Sequence, residues 1–122
     1  LYQFAGQYRG IVVGTGNKVE DYGVGFYTKY GDGGVDIAPI ADLYKSEVWD
    51  LGKSLGVDSR IIEAKPTDGL WDDGRTDEDQ LGATYSELEE AMETGKGTGL
   101  KVLEEYARMN AHKMNPIPTF TL

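Results

Sequence analysis

Thr15, Glu20, Lys29, Asp36 and Lys45 lie within one glycine-rich stretch, residues 10–45, which opens on the short apolar run Ile11–Val13. A hydroxyl, two carboxylates and two ammonium groups are the types needed to hold a nucleoside triphosphate with its metal. An apolar strand emptying into a glycine turn is where open α/β sheets bind phosphorylated ligands. Thr15, at the turn Gly14-Thr-Gly16, either donates its hydroxyl to a ribose or base or caps a helix. Glu20 is placed to ligate Mg²⁺, which takes one or two carboxylates together with phosphate oxygens; the alternative is simple complementarity to a helix start. Lys29 and Lys45 either neutralise phosphate as point charges or stay solvated. Asp36, flanked by Val35 and Ile37, must find a partner or face a cleft. Gly31-Asp-Gly-Gly34 admits close approach of a ligand or forms a tight turn. His112, the one histidine, is either a base or a surface or capping residue, and a single histidine with no cysteine in the chain argues against a zinc site.

The elements that must position these groups follow from pattern. Ile11–Val13 reads as a buried parallel strand and Val35–Ile40, with Pro39, as an edge or strand end. Asp42 is expected to cap a helix carrying Leu43, Val48, Leu51 and Leu55 on its inner face and stopped by Gly56. A shorter helix is expected from Asp58 or Ser59 to Ala64, with Ile61 and Ile62 inward. Thr67 to Ala83 is polar and long enough to be a lid or a disordered loop. Ser86-Glu-Leu-Glu89 matches a capping box that starts a helix to about Glu93. A joint at Thr94–Gly99 leads to a last helix from about Leu100, with Val102, Leu103, Tyr106 and Met109 at helical spacing. The opening residues, Leu1–Gly10, read like the end of a helix already under way, an expectation of a longer parent protein.

The chain has 122 residues, one domain's worth. With 21 acidic against 12 basic residues its net charge is −9, which argues against nucleic acid as a partner. A mean hydropathy of −0.45 fits a soluble protein. No apolar run approaches the ~20 residues of a membrane span, and no signal-like segment is present. The absence of cysteine rules out disulfides and fits the cytoplasm.

Several segments together resemble the ammonia-dependent NAD synthetase family. They are Gly14-Thr-Gly-Asn-Lys-Val-Glu20, Phe26-Tyr-Thr-Lys-Tyr-Gly-Asp-Gly-Gly-Val-Asp36, Ala64-Lys-Pro-Thr-Asp-Gly-Leu-Trp71, Asp77-Glu-Asp-Gln-Leu-Gly-Ala-Thr-Tyr85 and His112-Lys113. The resemblance implies an α/β, Rossmann-like adenine nucleotide alpha-hydrolase (ATP pyrophosphatase) fold. Of that fold this chain, residues 1–122, would be the C-terminal half, with parallel strands and flanking helices. It implies a ligase that adenylates the carboxylate of nicotinic acid adenine dinucleotide (deamido-NAD) with Mg-ATP and lets ammonia displace AMP. Thr15, Lys45 and Thr67 would contact ATP, and Glu20 would ligate Mg²⁺. Lys29, Asp36, His112 and Lys113 would hold deamido-NAD, and Thr67 to about Ala83 would close over the reaction. No residue is assigned a role in proton transfer or as a nucleophile. A homodimer with no membrane or nucleic-acid partner is implied as well.

Two departures from the family pattern bear on activity. The Ser-Gly-Gly-x-Asp-Ser pyrophosphate loop is not among these residues, so the 122-residue chain is expected to be inactive by itself. The Asp21–Gly25 stretch is one residue longer than in common family members, which loosens the register between Glu20 and Lys29. The competing readings are another synthetase of the ATP pyrophosphatase type and a noncatalytic acidic scaffold domain.

Overall fold

Asn17 decides the local structure that carries Glu20. In the computed structural model, which describes residues 1–122, its buried side chain accepts hydrogen bonds from the backbone N–H groups of Val19 and Glu20, both at 3.0 Å. Two of the donors left unpaired at a helix start are thereby satisfied. The segment that follows, Lys18–Val24, winds as a π-helix and closes at Gly25, whose N–H reaches back to the carbonyl of Glu20. Gly25 has φ 67°, and a Cβ there would stand 2.5 Å from Cβ of Asn110, so both backbone and space require glycine.

Six helices accompany this π segment. They are α1 (Tyr2–Tyr8), α2 (Lys45–Ser54), α3 (Ser59–Ile62), α4 (Asp77–Leu81), α5 (Tyr85–Thr94) and α6 (Leu100–Met114). The core forms where the π segment, α4, α5 and α6 meet. Val19 and Val24 pack there with Leu81, Ala83, Tyr85 and Leu88, and Trp49, Met92, Val102, Leu103 and Tyr106 close around them. Gly99 lets α6 start hard against α5, since a Cβ there would meet the carbonyl oxygen of Glu87 at 2.4 Å. No helix is long and apolar enough to cross a membrane.

The expected strands are reduced to one parallel bridge, between Val13 and Ile37, held by Gly14 N–H to Ile37 O at 2.7 Å and Asp36 N–H to Val12 O at 2.9 Å. A strand needs partners on its edges, and these two segments have only each other. Accordingly Val12 is buried while Ile11 and Val13 stay exposed.

Other boundaries also move. Tyr44, not Asp42, precedes α2, and its backbone N–H is taken by Glu47 at 2.8 Å; Asp42 pairs with Lys18 instead. Leu51, Leu55 and Ile61 are exposed, so α2 and α3 do not bury the faces their spacing advertises. The cap of α5 lies two residues before the expected one: Thr84 caps the helix through the Glu87 N–H, and Ser86 lies inside the first turn. The same device, Thr76 with Asp79, starts α4 inside the stretch expected to be loop, because the two acids after Asp77 complement the helix N-terminus.

Candidate functional site

Three of the residues singled out for ATP and metal line one cleft of about 260 Å³. Thr15 comes from the turn after the bridge, Glu20 from the first turn of the π segment and Thr67 from the loop before α4. The fourth, Lys45, begins α2 and donates to Oε1 of Glu20 at 2.7 Å. The side chains of this ion pair are only 17% and 16% exposed. Phe26, Asp21, Asp32, Asp68 and Asp77 complete the cleft wall.

Charge is therefore crowded on one side. Burial first, with Glu20 and Asp32 adding, pushes the Asp21 carboxyl up to about 6. Burial likewise raises Asp77, against the opposing effect of the Tyr85 hydroxyl. Oδ1 of Asp77 is buried without a hydrogen-bond partner, while Oδ2 lies 3.1 Å from that hydroxyl. Tyr85 also donates to Oε1 of Glu20, and its own ionisation is pushed far above the usual phenol range by burial and by Glu20. Both bonds to Glu20 go to Oε1, which leaves Oε2 uncommitted.

The donor set fits a hard cation that brings oxygen ligands of its own. No three acidic, histidine or cysteine side chains converge as a self-sufficient metal site. Glu20 supplies one carboxylate oxygen in an acidic cleft, and Mg²⁺ bound to phosphate oxygens asks for one or two.

The four residues expected at the dinucleotide do not share one cleft. Lys113 borders a second cleft of about 530 Å³, which shares Phe26, Asp32 and Asp68 with the first. Its ammonium, however, is given to the carbonyls of Gly25 at 2.7 Å and Tyr27 at 2.6 Å. Lys29 donates to the backbone carbonyl of His112 at 2.7 Å, and Nδ1 of His112 lies 3.2 Å from the Met109 carbonyl. Asp36 accepts from the Val12 N–H at 2.7 Å and the Tyr2 hydroxyl at 3.2 Å. Thr67 donates to the Arg75 carbonyl at 3.1 Å, which pins the loop that Asp77 N–H closes onto Pro66 O. Within that loop Arg75 stacks over Trp71 at 4.4 Å.

Sequence reasoning missed Tyr85 and Asp77 as members of the site. Both sit in a segment that carried the family resemblance, but Tyr85 is 65 residues from Glu20. No spacing rule spans such a gap.

The family model described as NAD synthase matches residues 1–118. The chain is 52% identical over 93 residues to the NH(3)-dependent NAD(+) synthetase of Methanococcoides burtonii, covering 76% of this chain and 35% of that protein. To the enzyme of the same name from Alkaliphilus oremlandii it is 45% identical over 98% of this chain and 48% of the relative. It thus spans about a third to a half of the length of such relatives. Among solved structures, NMN synthetase from Francisella tularensis superposes with a TM-score of 0.87 and 41% identity, over 100% of this chain and 51% of that one. The NH3-dependent NAD synthetase from Campylobacter jejuni, solved with nitrate ion, gives 0.69 and 28%, over 99% and 49%. The fold is that of these Rossmann-like synthetases, over the half of them that the chain covers.

Proposed function

The chain belongs to the NAD synthase family, and from that we propose that it is the C-terminal portion of a cytoplasmic ligase that amidates deamido-NAD with ATP and ammonia. The observation that carries this reading is the convergence of Thr15, Glu20 and Thr67 on one cleft, with Lys45 paired to Glu20 from the start of α2. In this reading Thr15, Lys45 and Thr67 contact ATP, and Glu20 holds Mg²⁺ through its uncommitted Oε2. The ion would neutralise charge developing on the pyrophosphate leaving group. Lys45 adds positive charge beside it, and the Thr67–Ala83 stretch shields a carboxyl-adenylate from water. Ammonia then displaces AMP. The sheet that the Val13–Ile37 bridge begins would be completed by parallel strands from the rest of the domain, which would also carry the pyrophosphate loop.

A second reading has its own support. The solved structure with the 0.87 TM-score is an NMN synthetase. The groups that would distinguish a dinucleotide from a mononucleotide, Asp36, His112 and Lys113, are engaged within the chain. Nicotinic acid mononucleotide is therefore the alternative acceptor of the same amidation.

The test is a chimera in which residues 1–118 replace the matching segment of the Alkaliphilus oremlandii synthetase, assayed for AMP with each acid substrate. A folded chimera should amidate one of them, and Glu20→Gln should lower kcat/KM about 100-fold, as expected for a lost metal ligand. A folded chimera that releases no AMP with either substrate would sink the reading. The 122-residue chain by itself should form no NAD⁺.

A further inference from the structure

Tyr85, only 2% exposed, buries a hydroxyl against the cleft machinery. It reaches both members of the Glu20–Lys45 pair through different faces. Its hydroxyl donates to Oε1 of Glu20, and its ring lies 5.1 Å from the Lys45 ammonium. The phenol has one proton for two carboxylate oxygens, and Glu20 stands nearer than Asp77, whose Oδ2 is at 3.1 Å. Tyr85 cannot easily turn away. Trp49 packs edge-on against its ring at 6.1 Å with an interplanar angle of 79°, and its backbone N–H is fixed by Glu78 at 2.8 Å.

We propose that Tyr85 is the positioning residue of the site: by holding Oε1 of Glu20 and facing the Lys45 ammonium, it fixes which carboxylate oxygen, Oε2, is presented to the cleft. The inference rests on the reading of Glu20 as a metal ligand for its purpose, though not for its geometry. A charge-assisted bond from a buried phenol is strong enough to select one rotamer of a long side chain. The cation–π contact holds Lys45 so that its bond also falls on Oε1. Glu20 is thus oriented before any ligand arrives, which lowers the ordering cost of binding.

Tyr85→Phe tests this on the 122-residue chain, with Tyr106→Phe as its control. Tyr106 packs against the same core, and its hydroxyl donates to the Gln80 carbonyl at 3.1 Å, away from Glu20. In ¹³C-carboxyl NMR, with Glu20 assigned through Glu20→Gln, the Glu20 signal should move in Tyr85→Phe and stay put in Tyr106→Phe. Equal shifts in both variants, or none in either, overturn the proposal. Should Tyr85→Phe fail to fold, the wild-type chain decides alone: a slowly exchanging Tyr85 hydroxyl proton with a cross-peak to the Glu20 γ-protons supports it, and its absence overturns it. Mn²⁺ titration of the chimera with ATP present, followed by electron paramagnetic resonance, separates the two readings. Tyr85→Phe should weaken Mn²⁺ about tenfold; unchanged affinity counts against positioning. Failure of the folded parent chimera to bind Mn²⁺ removes Glu20 as ligand, while the carboxyl signal of the 122-residue chain still decides what Tyr85 does.

Discussion

Asp21 shows what the cleft costs the residues that line it. Its carboxyl is pushed up to about 6 from 3.8, chiefly by burial, then by Glu20 and Asp32, with Lys113 opposing. Between those two pH values the folded chain keeps a proton that the unfolded chain has released. The slope of stability against pH is therefore negative there: stability falls from about pH 4 to about pH 6, and the loss is complete above the folded value. Partial contact with water discounts the effect to on the order of 1–2 kcal/mol. In urea titrations of the metal-free chain at pH 4, 5, 6 and 7, Asp21→Asn should be more stable than wild type at pH 7 and equal to it near pH 4. A pH-independent difference would refute this account. Asp21 also marks a limit of residue-level reading. Thr15 and Glu20 were legible as candidates because a glycine turn announces them. The state of Asp21 depends on Asp32 and Lys113, 11 and 92 positions away, whose proximity is a product of the fold.

Element by element, the ends of helices explain both what was legible and what was not. The last helix was expected from about Leu100 and runs Leu100–Met114, because a long amphipathic pattern after a glycine joint has few alternatives. The start of α5 was misplaced because Ser86/Glu89 and Thr84/Glu87 are equally good boxes in sequence. The structure uses the second, which puts Tyr85 and Leu88 into the core. The π segment, Lys18–Val24, winds with i to i+5 bonds and so takes up more residues per turn than an α-helix. Its open carbonyl end is then closed from outside by α6. Asn110 donates to Val24 O at 2.8 Å, and Lys113 donates to Gly25 O and Tyr27 O. Orphan carbonyls at a helix end need such donors. Lys113→Met should therefore destabilise the ligand-free chain by about 1.5–3 kcal/mol, the usual range for hydrogen bonds from a charged group. Thermal or urea unfolding measures it. A lysine kept solely for a substrate would leave ligand-free stability unchanged, so a variant as stable as wild type would return Lys113 to the dinucleotide.

Across the whole molecule, one core gathers the π segment, α4, α5 and α6, while α2 and α3 turn apolar side chains outward. Leu55 is 72% and Ile61 68% exposed, with Leu51 and Val57 beside them in sequence and also exposed. The Val13–Ile37 bridge leaves backbone donors and acceptors open on either side. Neither feature is neutral in water: large apolar patches and open strand edges both favour association. Opposing them is a net charge of −9, whose self-repulsion keeps copies apart at low ionic strength. Salt screens that repulsion within a Debye length of about 10 Å at 0.1 M, but it does not weaken apolar contacts. The balance should therefore tip with salt. In sedimentation equilibrium the weight-average mass should stay near the 13.4 kDa of one chain in dilute buffer and rise with both protein and salt concentration. Leu55→Glu combined with Ile61→Glu should suppress that rise by adding charge where the apolar surface is. If the double variant associates as readily as wild type, the contact lies elsewhere, and the open edges at Val13 and Ile37 become the surface to block next. A mass fixed at 13.4 kDa through 0.5 M salt and millimolar protein would refute this account, since neither the exposed apolar side chains nor the open edges would then drive association once the charge is screened.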